Sequence, residues 1–304
     1  MKLVTYRNGK AMSIGVVIED DILDLNAAFK AHLGGSFKGK KMEHLDMLSF
    51  LDIGLKGLSE AKKTVKAAES SKYLVPLKKV KLMAPIPHPR KNIVCLGLNY
   101  AEHVKEGSKG AVTPNLPQVP IFFTKPWTAV AGPYDNIIYP KVTERLDYEA
   151  ELAFIIGKNG KNIPEEKVYD HIVGFMCFDD VSARDLQTRH QQWYRGKSLD
   201  TFAPTGPWIV TNDEVGDPQN LELWCKVNDV ERQHSNTSDM IFSIKKIVSI
   251  LSAGITLEVG DIFATGTPSG VGSAHPLGLL KPGDLVEVGI EKIGSIKNRV
   301  VTEK

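Results

Sequence analysis

Short apolar runs punctuate this chain at residues 92–96, 121–124, 151–156, 174–178, 208–211, 221–227, 261–264 and 285–290, with glycine and proline between most of them. Runs of that length bounded by turn formers predict strands. Helical spacing is confined to fewer places in the same region. Residues 182–192 form one candidate, and residues 243–253 form another, with Ile244, Ile247, Val248 and Leu251 on one face and Gly254 placed to end it. Strands do not alternate regularly with helices, which disfavours a doubly wound sheet and predicts a strand-rich α+β fold.

The first part of the chain has a different texture. Residues 2–7 and 13–18 read as a hairpin turning at Asn8-Gly9, with a short extended piece at Asp24-Leu25. Helical spacing follows at residues 42–51, and residues 60–70, rich in Ala and Lys, read as an exposed helix. Pro85, Pro87 and Pro89 at alternate positions force extended backbone, as at a crossing between units. The expected organisation is a small N-terminal α+β domain over 1–80 and a larger domain over 81–304.

Composition narrows the partners. Lys plus Arg number 38 against 36 Asp plus Glu, so no global field invites nucleic acid or an anionic membrane, and a small molecule is the expected partner. Cys95, Cys177 and Cys225 are far apart and odd in number, without metal-ligand spacing, which supports neither a disulfide framework nor a zinc site. The start of the chain lacks the apolar run of a signal peptide, and no apolar segment is long enough to span a bilayer. A cytoplasmic, reducing location is the resulting expectation.

Candidate chemistry begins at Leu146-Asp147-Tyr148-Glu149-Ala150-Glu151-Leu152-Ala153-Phe154-Ile155-Ile156-Gly157. Side chains on a strand alternate faces, so Glu149 and Glu151 point the same way from a run that otherwise reads as buried. Two unpaired anions there would lose hydration and repel each other, a penalty that a divalent cation offsets. A second apolar run, residues 174–178, delivers Asp179 and Asp180 at its end. Oxygen ligands without Cys or an obligatory His suit Mg²⁺ or Mn²⁺, with Ca²⁺ the alternative.

Asn99-Tyr100-Ala101-Glu102-His103, Tyr148-Glu149-Ala150-Glu151-Leu152 and Asp180-Val181-Ser182-Ala183-Arg184-Asp185 occur in that order, followed by Gly196-Lys197-Ser198-Leu199-Asp200-Thr201 and Pro204-Thr205-Gly206-Pro207. Ser238-Asp239-Met240-Ile241-Phe242-Ser243 and Thr265-Gly266-Thr267-Pro268-Ser269-Gly270-Val271-Gly272 complete the series. In this order the blocks resemble the fumarylacetoacetate hydrolase family over essentially all of residues 81–302. The resemblance implies a mixed β-sandwich roll, a homodimer, a bound Mg²⁺ or Mn²⁺, and cleavage or rearrangement of 2-oxo acids.

By motif, Glu149, Glu151 and Asp180 would be the metal ligands, with Asp179 a neighbouring support or a surface residue. His103 and Glu106, spaced to share a helical face, would form a dyad on a lid that activates water, with Gly107-Ser108-Lys109-Gly110 as its flexible continuation. Lys197 would meet a substrate carboxylate or developing enolate. Arg184 and Gln187 would orient ligands or substrate, although Arg184 has a structural alternative as an ion-pair partner of Asp185. Thr267 in its glycine-rich loop would offer its hydroxyl and nearby amides to an oxyanion or carboxylate.

The implied reaction is carbon–carbon bond cleavage of a 2-oxo acid, by acylpyruvate hydrolysis or oxaloacetate decarboxylation, releasing pyruvate as its enolate. Isomerisation of 2-hydroxy-diene-dioates and a catalytically weak 2-oxo-acid binding protein are the alternatives. The Thr265–Gly272 loop lacks the Gly-Lys-Ser/Thr of a phosphate cradle, and no serine or cysteine sits in a nucleophile elbow, so nucleotide binding and covalent catalysis are disfavoured.

Overall fold

The computed structural model describes residues 1–31, 44–68, 72–107 and 115–304. Its strand-rich α+β architecture is centred on two neighbouring antiparallel strands, Ala150–Ile156 and Ile172–Asp179, in which every residue is buried. Burial on both faces explains why these strands read as continuous apolar runs rather than as alternating ones. They lie in the middle of a twelve-stranded sheet. On one side Ala150–Ile156 leads through Ile262–Ala264 and Ile93–Gly97 to the edge strand Ile121–Lys125, and the contact between Ile262–Ala264 and Ile93–Gly97 is parallel.

On the other side Ala203–Thr211 joins the sheet to the N-terminal strand Lys2–Asn8, through Lys2 opposite Val210 and Leu3 opposite Ile209. The hairpin continues through Ala11–Ile18 and Asp21–Asp24, with Asn8 opposite Ala11 and Gly9 at φ +59°, the left-handed region where glycine is least strained. The N-terminal strands therefore extend the same sheet. Lys81–Leu82, just before the prolines, pairs back onto Lys2–Asn8.

A five-stranded sheet packs against one face of this layer. Its strands Glu222–Val227, Val230–Asn236, Leu285–Ile290 and Gly294–Thr302 alternate buried and more exposed positions over much of their length, as strands covered on one face do. Leu223, Cys225, Val288 and Ile296 from this sheet share one core with Leu152, Phe154 and Cys177 of the larger sheet. Phe154 stacks on Phe263 with ring centroids 5.0 Å apart.

Helices are short and peripheral. Ile244–Ser252 buries Ile244, Ile247 and Val248, is capped by Ser243, and is followed by Gly254 at φ +84°. The expected helix over 182–192 is shorter, Arg184–Arg189, because Ser182–Ala183 pairs with Leu146–Asp147. The helix expected over 60–70 runs instead from Leu55 to Lys66. Of the spacing at 42–51, Met47–Leu51 is helical with Asp46 as its cap, while Met42 lies outside the described residues.

Candidate metal centre and active site

Antiparallel register creates the site. Ala150 lies opposite Asp179, so the start of one central strand meets the end of the other, and the Asp180 amide donates to the Glu149 carbonyl at 2.9 Å. Glu149 sits one residue ahead of its strand rather than within it. Glu149, Glu151 and Asp180, all buried, each offer an oxygen within 4.8 Å of the others.

These anions are only partly matched. Lys197 Nζ reaches Glu149 Oε2 at 2.7 Å and Asp180 Oδ2 at 2.8 Å. Lys125, fully buried, pairs with the other Asp180 oxygen and donates to the Val181 carbonyl at 3.0 Å. The Arg184 guanidinium bridges Asp147 Oδ2 at 2.7 Å and Glu149 Oε1 at 2.6 Å. Five buried carboxylates, Asp147, Glu149, Glu151, Asp179 and Asp180, thus share three bonded cations, which leaves two formal negative charges in the interior.

Protonation or a divalent cation would neutralise that excess. Burial, then Asp180 and Glu149, push the Glu151 carboxyl well above the usual carboxylate range, and burial lifts Asp179 to about 7. Burial also acts on Glu149, but Lys197, Arg184 and His103 outweigh it and hold this carboxyl low. Glu151 accepts the Gly266 amide on Oε2 at 2.8 Å, whereas Oε1 is buried with no hydrogen-bond partner among the described residues. An orphaned carboxylate oxygen, three converging oxygen donors and two excess charges together fit a hard divalent cation.

Above the carboxylates lies a cavity of about 370 Å³. Helix Ala101–Gly107 contributes His103 and Glu106, whose Nδ1 and Oε2 atoms are 3.2 Å apart. The second Glu106 oxygen accepts the Gly270 amide at 2.8 Å, which anchors the helix beside the glycine-rich loop. Glu149, Arg184, Gln187, Lys197 and Thr267 line the same cavity, while Glu151 and Asp180 are not on its lining. The opposite wall is apolar: Phe123 lies beneath the Lys197 ammonium, 5.2 Å from ring centroid to Nζ, and meets Trp193 edge-on. Trp193 in turn covers Gly97 so closely that a Cβ there would sit 2.0 Å from its ring. Ser108, Lys109 and Gly110, expected to continue a lid, lie outside the described residues.

The fumarylacetoacetate (FAA) hydrolase C-terminal family profile matches residues 92–301, which contain both central strands, the dyad and every carboxylate above. The chain belongs to the fumarylacetoacetate hydrolase family. Its relatives include oxaloacetate tautomerase YisK of Bacillus subtilis, 40% identical over 310 residues, covering 99% of this chain and 100% of that one. Among solved structures, a fumarylacetoacetate hydrolase from Exiguobacterium antarcticum superposes with a TM-score of 0.81 at 34% identity over the full length of both chains. Maleylpyruvate hydrolase from Sphingobium sp. SYK-6, solved with manganese(II) and pyruvate, gives 0.78 at 31% identity, again over both whole chains.

Within this family framework several residues have roles that local sequence does not suggest. Arg184 pairs with Asp147 and Glu149 rather than with its neighbour Asp185, which instead accepts from Thr143, Glu144 and Leu186. Asp179 is buried and accepts the Glu149 amide at 2.9 Å, so it supports one of the three converging acids and has no surface role. The Thr267 hydroxyl donates to the Ala150 carbonyl at 2.9 Å and accepts from Gln233 at 2.8 Å. Lys125 and Gln233 carry no local sign of their roles in the sequence, beyond Lys125 being a cation that closes an apolar run.

Replacing Glu149 and Glu151 together by Gln is expected to abolish Mn²⁺ binding while leaving the circular-dichroism spectrum intact, and an unchanged Mn²⁺ stoichiometry would refute their assignment as ligands. Lys125→Met leaves a buried Asp180 oxygen without its cation. It is expected to destabilise the metal-free protein by about 3–5 kcal/mol in urea denaturation, the range for breaking a buried ion pair.

Proposed function

We propose that this chain interconverts the enol and keto forms of oxaloacetate, a proton transfer between the C2 oxygen and C3 of a 2-oxo acid. One observation carries this reading: the His103–Glu106 pair opens onto the same small cavity as Lys197 and Arg184, two cations already engaged with the buried carboxylates. The 40% identity with an oxaloacetate tautomerase over nearly the whole chain supports the choice of substrate.

A Mg²⁺ or Mn²⁺ ion held by Glu149, Glu151 and Asp180 would supply Lewis acidity toward the substrate's oxygens, drawing charge off carbon. His103 moves the proton. Its Nδ1 faces Glu106, which fixes the ring and leaves Nε2 to take a proton from C3 and return it to the C2 oxygen, or the reverse. Arg184, whose Nη2 has no partner among the described residues, offers a donor to a substrate carboxylate, and Gln187 holds its Nη1 at 3.1 Å. Lys197 places its ammonium beside the oxygen that gains charge when the C3 proton leaves.

Carbon–carbon cleavage is the second reading, supported by the structural likeness to a maleylpyruvate hydrolase solved with pyruvate. There the dyad would deprotonate a water for attack on an acylpyruvate, while oxaloacetate would lose CO₂ without it. Isomerisation of a 2-hydroxy-diene-dioate uses the same proton transfer on a longer acid.

With Mg²⁺ or Mn²⁺ present, the protein is expected to accelerate the decay of enol-oxaloacetate absorbance without releasing pyruvate. Pyruvate from oxaloacetate, acetylpyruvate or fumarylpyruvate would transfer the assignment to cleavage, and inertness toward all of them would favour a binding role. His103→Ala is expected to lower the catalysed rate by about 10²–10⁴-fold, the usual contribution of a general acid–base, with Mn²⁺ binding retained. Undiminished turnover would remove His103 from the mechanism.

A further inference from the structure

The segment that presents Glu149 and Glu151 has a gap in its backbone pairing. On one side the central neighbour Ile172–Asp179 pairs as far as Ala150, but on the other the ladder with Ile262–Ala264 reaches only Ala153. Backbone groups left unpaired in a dry interior are costly, so something other than a strand must complete this edge. A strand there would also close off the space beside the ligands.

Thr265, Thr267 and Gln233 complete it. Thr265 meets the Leu152 carbonyl through both its amide, at 3.1 Å, and its hydroxyl, at 2.9 Å. One residue pair further along, the Ala150 carbonyl takes the Thr267 hydroxyl at 2.9 Å, and the Ala150 amide donates to Gln233 Oε1 at 2.9 Å. The Gln233 carboxamide then turns back to the loop, donating to Thr267 Oγ1 at 2.8 Å and to the Pro268 carbonyl at 2.9 Å. Gln233 is only 1% exposed.

Ala150 lies between the two glutamates, so its N–H and C=O belong to the two peptide planes that aim their side chains. The loop braced by the same carboxamide supplies the Gly266 amide to Glu151, the Gly270 amide to Glu106, and the Gly272 and Ser273 amides to Asp147. We propose that Gln233, acting through Thr267, is a positioning residue that sets the spacing between the ligand glutamates and the Thr265–Ser273 loop. This inference rests on the assignment of Glu149 and Glu151 as metal ligands. It also gives the Thr267 hydroxyl a scaffold role, while Thr267 itself lines the cavity.

Mn²⁺ alone is the probe, with the free-ion electron paramagnetic resonance signal as readout and no substrate present. Gln233→Leu and Thr267→Val are each expected to weaken Mn²⁺ binding about tenfold, the lower end of what loss of a ligand's supporting partner does. The doubly substituted protein should bind about as the weaker single variant does, because both changes open one brace. Thr267→Ser, which keeps the hydroxyl, should bind as the wild type does.

Should Gln233→Leu fail to fold by circular dichroism, the Thr267→Val and Thr267→Ser pair decides the matter with Gln233 in place. Wild-type Mn²⁺ affinity in Thr267→Val, together with a raised KM for oxaloacetate, would overturn the inference and return Thr267 to substrate binding. Additive losses in the double variant would overturn it as well. Absence of Mn²⁺ binding by the wild-type protein would instead overturn the ligand assignment beneath it.

Discussion

Burying five carboxylates against three cations is the constraint around which the centre of this molecule is organised. Ions stripped of water in a protein interior carry a penalty of several kcal/mol each unless partners and hydrogen bonds replace the solvent. Here every cation in the group holds at least one carboxylate, and Lys197 and Arg184 each hold two. The two carboxylates without a bonded cation are Glu151, which converges with Glu149 and Asp180, and Asp179, which accepts the Glu149 amide. The charge balance of the core and the convergence of the three acids thus both fit a divalent cation.

Backbone amides supply much of the remaining compensation. The Thr265–Ser273 loop points N–H groups at Glu151, Glu106 and Asp147, so one stretch of chain steadies one of the converging acids, the His103–Glu106 pair and the anchor of Arg184. Glycine at 270 serves this directly: it holds φ +100°, and a Cβ there would lie 2.0 Å from the Arg232 carbonyl. The division of labour follows from the two kinds of donor. Amides fixed in a loop cannot move with the reaction and suit the acids that must stay put, while Lys197 and Arg184 face the cavity with charge that substrate can share.

Strand positions were the most legible part of the fold, because the central strands are buried on both faces and appear as unbroken apolar runs. Val230–Asn236 and Gly294–Thr302 leave no such run, since a sheet covered on one face admits polar residues at every second position, and Glu231, Lys297 and Arg299 interrupt the signal. Helix limits shifted where a competing interaction intervened, as Ser182 and Ala183 illustrate by pairing with Leu146 and Asp147. The site showed the same contrast. Acids in an apolar run stand out at any level of folding, whereas Thr267 reads as a free hydroxyl until Gln233 and Ala150 are seen to occupy it.

The sequence by itself determined the family, the strand-rich α+β class, the acids Glu149, Glu151 and Asp180, and the spacing of His103 and Glu106, because each resides in a contiguous motif or in the apolar pattern around it. Tertiary structure alone decided which distant groups complete the centre. Lys125 reaches Asp180 across 55 residues and Gln233 reaches Ala150 across 83. A lysine at the end of a strand and a glutamine in another are ordinary surface residues in one dimension. Strand order and antiparallel register place them at a buried charge and an unpaired backbone edge, and neither of those exists until the sheet has formed.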